Sequence, residues 1–273
     1  MLGSGSAGNA TLLQHGDQRV LIDVGLSYRE VVRRLEHSGV SPDSVRAVVI
    51  THAHGDHVRG AALFSRRHEV PVHTTAATRA VWGDITVSSW CELVCGTIHS
   101  IGDFRFEPFE VSHDADAETV AFRIDTPAGP IGFATDVGVV THTLRDRFQS
   151  CRALVMESNH ATDLLLVGPY ASSTKARIGG ARGHLSNEAL ASFLRNDLGS
   201  SVECVVLAHL SRVNNLPELA ELTCREALDA AGRADVRIVV TGQDRVTETV
   251  ELDDRLAAFQ HRAPPAHQAA LPF

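Results

Sequence analysis

The chain has 273 residues, 44% hydrophobic and 21% charged, an ordinary globular composition with length for one large core or two small ones. Its formal net charge of −8 argues against a surface that coats nucleic acid broadly, while leaving room for a local basic groove. No apolar run of about eighteen residues occurs, which excludes a helical membrane span, and five cysteines without paired spacing point to reduced thiols in a cytoplasmic protein.

Met1 to Asn9 reads MLGSGSAGN, with no basic-then-apolar leader. Such a stretch is either a tight loop whose backbone N–H groups face an anion or a flexible terminus. Thr11–Gln14 and Arg19–Asp23 are expected as short strands around a turn at His15–Gln18. Asp23 closes the second strand ahead of Gly25, either as partner to a ligand imidazole or as a turn cap. Ser27–His37 has helical spacing, with Tyr28, Val31, Val32 and Leu35 on one face, and Gly39 stops it. Ala47–Ile50 reads as a buried strand and runs into Thr51-His52-Ala53-His54-Gly55-Asp56-His57, three imidazoles and a carboxylate within six positions. His52 and His54 are two apart, so an extended chain projects them to one side. Asp56 and His57 fall where the chain turns into a helix expected at Val58–Ser65. One corner thus offers two imidazoles to one cation and an Asp–His pair to a second, ligands that zinc, manganese and iron accept.

Val70–His73 is expected as a strand and Thr75–Trp82 as a helix. Cys91 and Cys95, four apart, are spaced to meet on a helix, and packing is their expected role. From Thr97 the pattern turns to strands: Phe104–Phe106 alternates, and Val120–Ile124 and Ile131–Ala134 flank a turn at Thr126–Pro130. His113 and Asp136 each sit just past an apolar run, as His52 does. The second half repeats this style. Helices are expected at Leu144–Phe148, Asp163–Val167, Glu188–Leu198 (capped by Ser186 or Asn187) and Pro217–Ala231. Strands are expected at Ala153–Met156, leading to Glu157, at Val202–Leu207, leading to His209, and at Val236–Val240. Ser172–Arg182 carries Lys175, Arg177 and Arg182 around Gly179-Gly180 as either a nucleic-acid track or a solvated loop. His184 stands at a glycine corner before a helix, where an imidazole and backbone N–H groups can face one phosphate. Residues 261–273 are expected to be a disordered tail behind a single domain over 1–260, built from two similar halves. The fold class is α/β (α+β by some schemes), with two mixed sheets face to face and helices outside.

THAHGDH at 51–57, followed in order by His113, Asp136 and His209, resembles the metallo-β-lactamase superfamily over nearly the whole chain. GSGSAGN at 3–9, HDA at 113–115, TDVG at 135–138, ESNH at 157–160, GHLSN at 183–187 and AHLSRVNN at 208–215 are similar to its YycJ/WalJ-type group, described as metal-dependent DNA exonucleases. The resemblance implies an αββα sandwich holding two divalent metal ions, Zn²⁺ or Mn²⁺, at one edge of the sheets. It places His52, His54 and His113 on the first ion, Asp56, His57 and His209 on the second, and Asp136 between them. Two features depart from the pattern. The first strand is cut to Met1 and Leu2 ahead of the glycine loop, as a late-placed start codon would leave it. Asp136 stands where several β-lactamases carry cysteine, and an all-oxygen-and-nitrogen site with a bridging carboxylate suits phosphodiester hydrolysis better.

The expected chemistry follows. Two dications lower the pKa of a shared water toward about 7, giving a bridging hydroxide, and neutralise a phosphate oxygen. Asp56 orients and deprotonates that water. His184 supplies the leaving oxygen with a proton, as a comparably placed histidine does in the related tRNA 3′-processing enzymes, and Glu157 orients it. The expected function is a 5′-to-3′ DNA exonuclease acting in repair, with nucleic acid as partner, DNA in preference to RNA, and no membrane. The alternatives are a small-molecule metallohydrolase acting on a cyclic phosphodiester, thioester or lactone, and a tRNA 3′-processing-like endoribonuclease. A non-catalytic module is disfavoured because all seven ligand positions are filled.

Overall fold

Two β-sheets stacked face to face form the centre of the computed structural model, which describes residues 1–253; the tail expected from His261 lies outside them. The first sheet runs β1 (Thr11–His15), β2 (Gln18–Ile22), β3 (Ala47–Val49), β4 (Val72–Thr75) and β5 (Trp90–Leu93), in that order. β1 and β2 form an antiparallel hairpin; the other neighbours are parallel and joined by helical crossovers. The second sheet runs in chain order from edge to edge: β6 (His99–Ile101), β7 (Phe104–Val111), β8 (Thr119–Asp125), β9 (Ile131–Ala134), β10 (Ala153–Glu157), β11 (Cys204–Ala208) and β12 (Arg237–Val240). β6 to β9 make an antiparallel meander and β9 to β12 are parallel.

Alternation along the strands decides the layers. Val20, Ile22 and Val49 of one sheet meet Phe106, Phe122, Val155 and Val206 of the other in a buried cluster between them. Phe106 and Phe122 lie edge to face at 5.6 Å. Burying such a ring stabilises by about 2–3 kcal/mol, and truncating it to alanine costs about 3–5 kcal/mol. The opposite faces carry the helices. Leu21, Val48 and Val72 pack on Val31 and Leu35 of α1 (Tyr28–His37) and on Phe64 of α3 (Ala61–His68), which follows the short α2 (Gly55–Val58). Leu154, Met156, Val205 and Leu207 pack on α5 (His142–Phe148), α8 (Asn187–Asn196) and α9 (Pro217–Ala230). The result is the expected αββα sandwich, completed by α4 (Ala76–Trp82), α6 (Thr162–Val167) and α7 (Ser172–Ile178).

Several local expectations need correction. The helix expected at Val58–Ser65 is two helices, α2 and α3, with Gly60 between them; a Cβ on Gly60 would lie 2.4 Å from the Leu26 carbonyl. The segment read as a loop at Ser172–Arg182 begins with α7, which buries none of its residues and so carries no apolar stripe. β5 has no counterpart among the expected strands, β6 falls within the strand region expected from Thr97, and β11 is shifted to end on Ala208. Cys91 lies in β5 and Cys95 beyond it, so they do not meet on a helix; all five cysteines are free. The halves are unequal, with five strands against seven among the described residues. Short as it is, the N-terminal stretch packs: Leu2 is buried, its N–H donates to the Ala10 carbonyl at 2.8 Å, and Gly3 bridges Ala10. Among the described residues no helix is long and apolar enough to cross a membrane.

Candidate metal centre

The C-terminal ends of β2, β3, β7, β9, β10 and β11 gather along one edge of the sandwich, and Asp23, His52, His113, Asp136, Glu157 and His209 sit at or just past them. Three of these carry strained backbones: φ is 59° at Asp23, 57° at Asp136 and 55° at His209. The left-handed region costs a non-glycine residue about 1–3 kcal/mol. Here it turns each side chain sharply off its strand.

Asp23 settles between its two readings as partner to an imidazole. Its carboxylate accepts from the Thr51 N–H at 2.9 Å, from the Thr51 hydroxyl, and from His57 Nδ1 at 2.7 Å. With its proton on Nδ1, His57 turns the lone pair of Nε2 inward. The chain carrying Asp56 passes so close to Gly25 that a Cβ there would lie 1.5 Å from the Asp56 carbonyl, so only glycine fits. The same logic fixes the other rings. His113 Nδ1 donates to the Gly183 carbonyl at 3.0 Å, and His209 Nδ1 donates to Glu157 Oε1 at 2.7 Å.

What those bonds leave over is informative. His52 Nε2, His113 Nε2, His209 Nε2 and Asp136 Oδ2 are buried with no hydrogen-bond partner. Such atoms are rare in a folded protein, and four in one place call for a cation. Asp136 Oδ2 lies 3.0 Å from His57 Nε2, so two lone pairs face each other unless a proton or a metal lies between. Ligand atoms of His52, His54 and His113 lie within 4.8 Å of one another, as do those of Asp56, His57 and His209. Asp136 stands between the sets: with His52 and His57 it forms a third such group, and its Oδ1 is 3.6 Å from His113 Nε2 and 3.5 Å from His209 Nδ1. All seven expected ligands therefore converge, and their nitrogen and oxygen atoms suit zinc or manganese.

The electrostatics divide the site. Burial pushes His52 well below the usual histidine range, and the neighbouring His57 adds to this. Burial also lowers His113. At His57 burial again disfavours the charge, but the Asp136 and Asp23 carboxylates outweigh it and hold the ring well above its usual value. At His209 burial is outweighed by Asp136, Asp56 and Glu157, and the pKa is pushed up to about 10. Asp136, against its burial, is held well below the carboxylate range by His209 and His57.

Glu157 is fully buried and its acceptor sites are filled. Oε1 takes both His184 Nδ1 at 2.8 Å and His209 Nδ1 at 2.7 Å, while Oε2 takes the Val137 and Leu185 N–H groups at 2.7 and 3.2 Å. Its burial would raise its pKa, but His184 and His209 bring it down to about 2. Besides the expected bond to His184, Glu157 also holds His209. His184, with a quarter of its side chain exposed, faces His113 at 5.1 Å and His209 at 5.3 Å between ring centres. Of the basic residues, Arg182 reaches the His113 carbonyl at 3.4 Å, Arg177 the exposed Asp114 at 3.4 Å, and Lys175 turns away to the Leu166 carbonyl. Asn9 and Ser4 also touch the site and were not foreseen; the polar GSGSAGN stretch was their only signal in the sequence.

Residues 18–210 match the family model described as the beta-lactamase superfamily domain. Exodeoxyribonuclease YycJ of Bacillus anthracis is 30% identical over 236 residues, spanning 85% of this chain and 89% of that protein. Exodeoxyribonuclease WalJ of Streptococcus pneumoniae is 30% identical over 261 residues, spanning 92% and 97%. Among solved structures, the metallo-beta-lactamase fold protein YhfI from Bacillus subtilis matches with a TM-score of 0.70 at 14% identity, covering 88% of this chain and 94% of that one, a likeness of fold.

Proposed function

The chain belongs to the metallo-β-lactamase superfamily, in its YycJ/WalJ group, and on that premise we propose that it is a dinuclear metal-dependent exodeoxyribonuclease working 5′ to 3′. The observation that carries the reading is the set of four buried, unpartnered ligand atoms on His52, His113, His209 and Asp136. It is supported by the identity to two proteins named exodeoxyribonucleases over most of the chain. We read the described residues as one domain, in a cytoplasmic protein whose cysteines are free.

His52, His54 and His113 would hold one ion, Asp56, His57 and His209 the other, with Asp136 shared and zinc or manganese as the metals. When bound, the two cations supply positive charge to a phosphate oxygen and acidify water. The chain's own residues do the rest. Asp56 has a fifth of its side chain exposed and its Oδ2 is 3.5 Å from His209 Nε2; in this reading it would orient the attacking water and take its proton. His184 is held by Glu157 through Nδ1, which leaves Nε2 to donate a proton to the departing oxygen. Arg182, which reaches the His113 carbonyl at 3.4 Å, would meet a backbone phosphate of the strand in this reading.

The test is a panel of end-labelled single- and double-stranded DNA, RNA, a generic diester and a thioester, each with Mn²⁺, Zn²⁺ and Mg²⁺. Stepwise release of nucleotides from the 5′ end of DNA is expected. Internal cleavage of RNA in its place would favour the endoribonuclease alternative, and turnover of the thioester alone the small-molecule one.

A further inference from the structure

The Gly3–Asn9 loop takes no part in the chemistry above, yet it touches one half of the centre. Asn9 is buried; its N–H donates to the Asp56 carbonyl at 2.7 Å and its Nδ2 to Asp56 Oδ2 at 3.3 Å. The same Nδ2 lies 3.1 Å from His57 Nε2. Asn9 Oδ1 accepts from the Gly5 N–H at 2.9 Å, which fixes the amide so that its donor end faces the ligands. At the other end of the loop, buried Ser4 accepts from the His209 N–H through Oγ at 2.7 Å. Asp56, His57 and His209 are thus all contacted. Among the described residues, no hydrogen bond runs from the loop to His52, His54 or His113.

The loop is itself tied down. Gln243 accepts from the Ala7 N–H and donates to the Gly8 carbonyl, each at 2.7 Å, and Gly5 at φ 140° lets the chain lie against it: a Cβ there would be 2.8 Å from Gln243 Oε1. The Gly25 N–H donates to the Asn9 carbonyl at 2.7 Å. Asp56 Oδ2 and His57 Nε2 stand 3.6 Å apart. The Asn9 amide lies within reach of both and holds them at a separation one ion can span.

We infer that the Gly3–Asn9 loop positions the Asp56–His57–His209 half of the centre, with Asn9 and Ser4 as positioning residues that set how tightly that half alone holds its ion. The inference rests on the dinuclear reading above. Hydrogen-bond partners of metal ligands are worth about 10- to 100-fold in metal affinity, and here they serve one set of ligands and spare the other.

The test counts ions. Wild type, Asn9→Ala, Asn9→Ser and Ser4→Ala proteins are stripped, reloaded with Mn²⁺ or Zn²⁺, and challenged with a graded chelator, while circular dichroism follows the melting of the stripped proteins. Wild type should hold two ions. The variants should hold one as tightly as wild type and the other about 10- to 100-fold more weakly, with the melting of the stripped proteins unchanged. Asn9→Ser keeps a polar group should Asn9→Ala fold poorly, and Ser4→Ala probes the same half from the other side. Two ions held as in wild type, or both weakened together, would overturn the inference and leave the dinuclear reading standing. A wild-type protein holding fewer than two would overturn both.

Discussion

Apart from Asp136, which reaches both pairs, His52 and His113 sit among imidazoles, a hydroxyl and a backbone carbonyl, whereas His57 and His209 sit among carboxylates. Residue type is the same; the surroundings are not. Burial leaves the first pair neutral with open lone pairs, pushed below the usual histidine range. At the second pair the carboxylates outweigh burial, and the rings keep their protons past neutrality. One half of the centre is therefore ready for a cation as folded, and the other must exchange protons for it. Asp136 belongs to both.

The largest expected effect breaks both halves at once. Asp136→Ala should reduce metal content and nuclease turnover to background while circular dichroism stays native, and His54→Ala should remove turnover through loss of the first-half ion. Normal turnover in a metal-free Asp136→Ala protein would refute the shared role. His184→Ala removes a ligand from neither set and should sharpen the comparison: both ions stay, while turnover on DNA falls about 10²–10⁴-fold. The loss should be smaller on an ester with a good leaving group, as steady-state rates on the two substrates will tell; equal losses would remove His184 from the proton step.

Smaller effects follow from pH. Binding at the Asp56–His57–His209 half displaces protons from both His57 and His209, so its metal affinity should rise at least about tenfold per pH unit between pH 7 and 10. Affinity at the other half should stay nearly flat over that window. Calorimetry in buffers of different ionisation enthalpy separates the two by the protons released. The smallest effect is on stability. His209 binds its proton more tightly folded than unfolded, so its contribution is full below pH 6.5 and is lost as pH climbs through about 10. The melting temperature of the stripped protein should thus fall between pH 7 and 10, and that of the metal-loaded protein should not.

The candidate ligands were legible through the resemblance to the superfamily, helped by parallel strands that read as apolar runs: His52, Asp136 and His209 each fall within three residues of the end of one. Strand ends that share an edge then bring them together whatever their separation in sequence. The supports were harder to see. Ser4 reaches His209 across 205 positions and Asn9 reaches Asp56 across 47, through a loop with neither periodicity nor apolar content. Glu157 sits at a visible strand end, but its hold on two imidazoles depends on which carbonyls and amides surround it once folded. α7 stayed hidden because a helix that buries none of its residues has no apolar face to mark it, and β5 because a strand of four residues barely alternates.

The most direct test of the central claim, that these seven side chains grip two cations to cleave DNA, is to add Mn²⁺ or Zn²⁺ stepwise to stripped protein while following release of nucleotides from 5′-labelled DNA. Activity should stay near background through the first equivalent and climb through the second. Full turnover by the stripped protein, or none after both equivalents are bound, would contradict the account.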